Sequence, residues 1–178
     1  MKATGIVRRI DDLGRVVVPK EIRRTMRIRE GDPLEIFTGS DGEIILKKYS
    51  PLNDLGEFAV EYVEALYETY GTPALLSDRD EMVAVAGLSK KEYVGRRISI
   101  TAEEFMAERK VKVEKLEASI ELVPGQFEQV KSYCLVPIII NGDVIGAVYL
   151  LSKVHFIGDI EQKGAEVAAA FLAKQMQH

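Results

Sequence analysis

The chain has 178 residues with 24 Lys or Arg against 28 Asp or Glu, a net charge of −4, and 47% hydrophobic residues; this balance fits a soluble globular protein and excludes disorder as the default. No run approaches the roughly 20 apolar residues of a membrane helix, and the first residues, with Arg8, Arg9, Asp11 and Asp12, lack a signal-peptide core, so a cytoplasmic chain is expected. One cysteine, Cys134, and two histidines, His155 and His178, exclude an internal disulfide and offer no zinc-ligand spacing, so neither metal nor cofactor is expected.

The charge is unevenly spread. Residues 1–50 hold 11 Lys or Arg against 8 Asp or Glu, a net of +3, whereas the remainder carries −7. Such asymmetry predicts two domains with different partners, and the basic one is where a polyanion would bind, because Lys and Arg that neutralise phosphates release condensed counterions.

In chain order, Thr4 to Ile10 and Arg15 to Val18 are rich in β-branched residues and predict two strands around the turn Asp11-Asp12-Leu13-Gly14. Pro19 stops the second strand and suits the first turn of a helix over Lys20 to Met26, where Ile22 and Met26 share a face. After Gly31-Asp32-Pro33, segments Leu34 to Thr38 and Glu43 to Lys48 predict a second hairpin closed at Gly39-Ser40-Asp41-Gly42. A lone unit of about fifty residues buries too little surface to be comfortably stable, and without disulfide or metal the remaining solution is a second copy. Its strands carry apolar residues on both faces (Val16 and Val18 opposite Val17, Ile44 and Leu46 opposite Ile45), which suits an obligate, interlaced dimer.

Ser50-Pro51-Leu52-Asn53 marks a boundary, with Asn53 or Asp54 expected to cap a helix whose apolar positions are Leu55, Phe58, Tyr62, Leu66 and Tyr70. Gly71 and Pro73 end it. A hairpin follows over Ala74 to Ser77 and Met82 to Ala86, then short helices over Lys90 to Val94 and Thr101 to Arg109; Val111 to Glu121 fits either strand or helix. Tyr133 to Ile140 and Val144 to Leu151 predict a pair of strands joined at Asn141-Gly142-Asp143, and Gly158 to Gln177 a closing helix. The expected class is α+β. The expected division is a basic domain over 1–50, a linker and the start of a connecting helix over 51–55, and a larger acidic domain over 56–178.

Gly5 through Pro19 (Gly-Ile-Val-Arg-Arg-Ile-Asp-Asp-Leu-Gly-Arg-Val-Val-Val-Pro) and then Glu21-Ile22-Arg23-Arg24 resemble the swapped-hairpin DNA-binding domain of AbrB-type regulators, and the likeness runs through Leu46-Lys47-Lys48-Tyr49. The C-terminal part is similar to GAF domains, through its flanking helices, central sheet, and Val136-Pro137-Ile138-Ile139-Ile140 followed by Gly142 to Leu150. The resemblance implies a swapped-hairpin β-barrel dimer followed by an α/β GAF-like domain with flanking helices. It implies a transcription regulator that activates some promoters and represses others during spore development, associated with the nucleoid. In such dimers arginines lie on one face, and the matching positions here are Arg8, Arg15, Arg23 and Arg24; Arg9, Lys2 and Lys20 are lesser candidates for contact with double-stranded DNA.

The bland alternative for these cations is a solvated face paired with Asp11, Asp12, Glu21 and Glu30. No helix-turn-helix recognition helix is visible, so phosphate contacts and DNA shape are expected to do much of the reading, with a few arginine contacts to guanine edges. In the C-terminal domain a small effector could sit between sheet and short helices, lined by Tyr93, Arg96 or Phe105, against the alternative that the domain only assembles. The helices Asp54 to Tyr70 and Gly158 to Gln177 could pack as a pair and again on a second copy, giving a homotetramer. Cys134, before an apolar strand, is expected to be buried and inert. Adjacent carboxylates such as Glu103-Glu104 do not face each other on a helix, and no nucleophile, base and acid set or phosphate-binding loop supports an enzyme. The remaining rival is an antitoxin-like autoregulator, against which the folded remainder of the chain counts.

Overall fold

The computed structural model describes residues 4–177. These fall into two compact units, one ending at Tyr49 and the other starting at Ser50.

The first unit holds helix α1 (Lys20–Met26) and an antiparallel hairpin of β1 (Leu34–Thr38) and β2 (Ile44–Lys48), with Leu34 opposite Lys48 and Thr38 opposite Ile44. Pro19 precedes α1 and its carbonyl accepts from Arg23 N–H at 2.9 Å; Arg27, in the left-handed region at φ 52°, ends it. The two strands expected at 4–10 and 15–18 do not form. Among the described residues this segment carries no strand, only a turn in which Asp11 N–H donates to the Arg15 carbonyl and Gly14 N–H to the Asp11 carbonyl, each at 3.0 Å. The physical reason is the lack of any strand of the same chain to pair with, and an unsupported hairpin is marginal in water. Its apolar side chains are therefore exposed: Val7 is 85% and Val17 70% accessible, with Ile10, Leu13 and Val16 alongside.

The second unit is an α+β layer structure. A short helix α2 (Pro51–Asp54) precedes α3 (Glu57–Tyr70), and α6 (Asp159–Gln175) closes the chain. The single helix expected from Asp54 is thus broken: Gly56 takes φ 47° and is the N-cap of α3, so neither Asn53, whose side chain lies outside the described residues, nor Asp54 caps it. These helices cover one face of a five-stranded antiparallel sheet in the order β4-β3-β9-β8-β5, made of β3 (Ala74–Asp78), β4 (Met82–Ala86), β5 (Lys112–Glu114), β8 (Ser132–Ile140) and β9 (Asp143–Ser152). The short helices are α4 (Lys90–Tyr93) and α5 (Ile100–Glu108), the latter capped by Ser99 Oγ, which accepts from Ala102 N–H at 3.1 Å. The ambiguous stretch 111–121 resolves into β5 and the start of β6 (Ala118–Val123), which pairs with β7 (Gln126–Val130) around Pro124-Gly125. The β6–β7 hairpin lies beyond the elements expected from the sequence, although Pro-Gly is a direct turn signal.

Side chains alternate across the sheet, as the two-residue period of a strand demands, apart from register shifts at Leu76/Ser77 and Ile138/Ile139. Leu76, Val136, Ile138, Val148 and Leu150 meet Ala59, Val63, Leu66, Ala165, Ala168 and Leu172 of α3 and α6. Leu75, Leu135, Tyr149 and Leu151 face the other way, onto Tyr93, Phe105, Met106 and Leu122. Burying both faces explains why β8 and β9 read as nearly continuous apolar runs. Cys134 belongs to the α3 and α6 side and is fully buried; desolvation, reinforced by the negative charge of Glu166, pushes its thiol up to about 12, so it is not a nucleophile at neutral pH.

Gly146 on β9 marks the tightest approach to backbone, because a Cβ there would fall onto the Ser77 carbonyl oxygen and the Leu52 side chain. Backbone cannot yield as a side chain does. Gly146→Ala should lower unfolding stability by about 1–3 kcal/mol, read as a shifted denaturant midpoint; an unchanged midpoint would contradict this packing.

Candidate nucleic-acid interface

The described candidate DNA-contact cations of the first unit sit on three short pieces of chain. Arg8 and Arg9 are exposed on the extended segment before the turn, and Arg15 is exposed just after it. Lys20 and Arg24, one helical turn apart on α1, are also exposed, whereas Arg23 is half-buried and its Nε has no hydrogen-bond partner among the described residues. Lys2 lies outside the described residues. Lys48 is used within the unit: its Nζ donates to the Arg27 carbonyl at 3.1 Å and lies 3.7 Å from Asp32. Lys47 stands 4.8 Å from the centre of the Phe37 ring.

The turn itself is organised by one carboxylate. Asp11 Oδ1 accepts from Leu13 N–H at 3.0 Å and from Arg15 N–H at 2.8 Å, while Oδ2 accepts from Arg15 Nε at 2.8 Å. Gly14, at φ 76°, supplies the left-handed step that lets the chain return so tightly. Hydrogen bonds from the Arg15 backbone and then its side chain hold the Asp11 carboxyl below its ordinary value of 3.8. From the sequence Asp11 was legible only as a turn residue and a neighbour of arginines; its grip on Arg15 needed coordinates.

In the second unit, Tyr93 and Phe105 are buried in one apolar cluster and Arg96 is exposed. Tyr93 Oη donates to Glu128 Oε1 at 2.7 Å, and Glu128 Oε2 pairs with Lys153 Nζ at 2.6 Å. Burial first, and this bond to a carboxylate second, drive the Tyr93 phenol up, so it stays a neutral donor. Phe105 packs at a tilt of 58° against Tyr149, with ring centres 6.4 Å apart, and Tyr149 shares a 2.8 Å hydrogen bond with Ser77 Oγ.

A separate apolar surface lies along α3 and α6. Phe58, Tyr62 and Phe171 form an aromatic cluster, with Tyr62 stacked on Phe171 at 5.4 Å. Beside it an open groove of about 790 Å³ is lined by Tyr62, Leu66, Tyr70, Ile160, Gly164 and Val167 among others. Ile160 is 77% and Val167 62% exposed. The stripe expected from the sequence thus divides: Leu66 is buried against the sheet together with Ala59 and Val63, which the stripe did not include, and Phe58 and Tyr62 turn toward α6.

Comparison with known proteins follows the same division. Residues 54–177 match the family described as stage V sporulation protein T C-terminal, transcription factor, and residues 7–54 match the family described as antidote-toxin recognition MazE, bacterial antitoxin. Stage V sporulation protein T of Bacillus subtilis (strain 168) is 57% identical over 177 residues, covering 99% of each chain. The transition state regulatory protein AbrB of the same organism is 63% identical over 51 residues, which are 29% of this chain and 52% of that one. Among solved structures, a GAF domain from a phosphoenolpyruvate-protein phosphotransferase of Coxiella burnetii superposes with a TM-score of 0.57 at 18% identity, over 72% of this chain and 91% of that one; at that identity the likeness concerns the fold alone. A match running from end to end, in both units and at this identity, places the chain in the stage V sporulation protein T family.

Proposed function

We propose that this protein is a DNA-binding transcription regulator of sporulation genes, activating some and repressing others, rather than an enzyme. The observation that carries the reading is the set of exposed cations Arg8, Arg9, Arg15, Lys20 and Arg24 on a basic unit that shares 63% of its residues with a transition state regulator. Arg8, Arg15, Arg23 and Arg24 are the principal contacts, with Arg9, Lys20 and Lys2 adding to the field. The protein works in the cytoplasm on the nucleoid; among the described residues no helix is long and apolar enough to cross a membrane.

The exposed valines of residues 4–18 support a dimer in which two such segments interlace and complete each other's strands, with residues 1–50 as the DNA-binding domain, 51–55 as the connection and 56–178 as the regulatory and assembly domain. The outward stripe of α3 and α6 supports a second, separate self-association, and the two together make a tetramer. Any effector bound near Tyr93, Arg96 and Phe105 would have to displace packed side chains, so assembly is the leading role of the second unit. The antitoxin family matched over residues 7–54 gives the rival reading its one specific support. A folded second unit with its own family match weighs against it, and copurification with a small toxin would reverse the choice.

Four arginines in each of two protomers offer roughly eight phosphate contacts, so the affinity for a promoter fragment should fall with salt at a log-log slope near −7. Replacing Arg8, Arg15, Arg23 and Arg24 by Ala should weaken binding by at least about a hundredfold and flatten that slope. Binding that ignores salt, or that survives the replacement, overturns the docking face. Light scattering should give a tetramer for the wild type and a dimer for Ile160→Asp with Val167→Asp, because charges placed on an apolar interface are desolvated without partners. A wild type that is already a monodisperse dimer would remove the tetramer.

A further inference from the structure

We propose that Asp11 is a specificity-determining residue that acts through Arg15: it presents the guanidinium to a guanine edge while taxing sequence-independent binding to the backbone. The inference rests on the reading of Arg15 as a DNA contact and assigns the carboxylate beside it a function of its own.

The geometry separates the two jobs of this carboxylate. Oδ1 accepts two backbone N–H groups and so makes the turn; Oδ2 accepts only the Nε–H of Arg15. A guanidinium has five N–H donors. Anchoring the Nε–H leaves the four on Nη1 and Nη2, the fork that reads O6 and N7 of guanine in the major groove. The Arg15 side chain remains 70% exposed while anchored, so its far end is available to a ligand. Holding a long, rotamer-rich side chain before the partner arrives removes part of the ordering cost from binding.

The same carboxylate has an opposite effect on phosphates. It cancels part of the Arg15 charge and sits on an exposed turn beside cations that must approach a polyanion, so every duplex meets its repulsion whatever its sequence. Only a duplex that places a guanine under the oriented fork recovers the loss. Discrimination, the ratio of the two affinities, is therefore larger with the carboxylate than without it.

Asp11→Asn isolates this effect, because the Asn carbonyl still accepts from Leu13 and Arg15 N–H while its amide cannot accept from Nε. The probes are a duplex selected by the wild-type chain from random DNA and a scrambled duplex of equal length, titrated with the full-length protein after its fold is checked by circular dichroism. Affinity for the scrambled duplex should stay level or rise, affinity for the selected duplex should fall, and discrimination should drop about tenfold. Asp11→Asn combined with Arg15→Ala should discriminate no worse than Arg15→Ala alone, as expected of residues acting in series. If Arg15→Ala loses discrimination and Asp11→Asn keeps it, or if Asp11→Asn weakens both duplexes equally, the specificity role of Asp11 is wrong and the arginine reading stands. If Arg15→Ala binds both duplexes as the wild type does, the arginine reading itself has failed. Should Asp11→Asn not fold, Asp11→Ser, whose hydroxyl also accepts from the turn, carries the same comparison.

Discussion

The first unit has apolar side chains that its own chain cannot cover. Val7, Ile10, Leu13, Val16 and Val17 lie open on a segment that forms no strand among the described residues, and so many adjacent exposed apolar groups do not belong on a soluble monomer. Everything proposed for DNA recognition depends on how that deficit is met. If a second copy supplies the missing strands, association and the building of the DNA surface are one event, since the segment that must be paired also carries Arg8, Arg9 and Arg15. Mutations of the valines would then act on DNA binding without touching DNA, and loss of binding alone would not identify a contact residue.

Small fragments of structure compensate for the absence of a recognition helix. Helix α1 has only seven residues and buries none of them, so it cannot lie along a groove as a self-supporting rod. What is rigid is local: the Asp11 turn with three hydrogen bonds to one side chain, and the αL step of Arg27, from which Ile28 N–H reaches back to the Arg23 carbonyl at 2.8 Å. A protein reading DNA with such pieces leans on phosphate positions and groove shape, and few of its side chains reach base edges. That makes the orientation of each arginine more consequential than it would be among many contacts.

Where the sequence was readable, one physical signal dominated its segment. The Asn141-Gly142-Asp143 turn between apolar runs gave β8 and β9, and Gly71 in the left-handed region gave the end of α3. Reading failed where the deciding partner was not local. Residues 4–18 have strand composition yet no strand, because β pairing needs a neighbour that these residues do not have within the chain. The stripe Leu55, Phe58, Tyr62, Leu66 and Tyr70 looked like one buried face; it straddles two, because Gly56 resets the helix and α6 offers a second surface. Of the candidate site, the identity of the cations could be read in the sequence. Their states could not: Arg23 half-buried, and Arg15 held by a carboxylate four residues earlier.

The second unit divides its labour across one sheet. On the side of α4 and α5, polar groups are satisfied in pairs, Tyr93 with Glu128 and Tyr149 with Ser77, so removing one member would leave a buried donor or acceptor unmet. A ligand entering there has to replace those bonds as well as the rings around them. On the side of α3 and α6 the inner stripe is largely alanine, which draws the helix close to the sheet, while Ile160 and Val167 face outward beside the Phe58, Tyr62 and Phe171 rings that pack on one another between the two helices. Burying an outward stripe of that kind on a second copy costs no existing hydrogen bond. Physical cost therefore ranks assembly ahead of sensing, and linking two DNA-binding dimers through it would raise affinity by effective concentration without adding a contact to DNA.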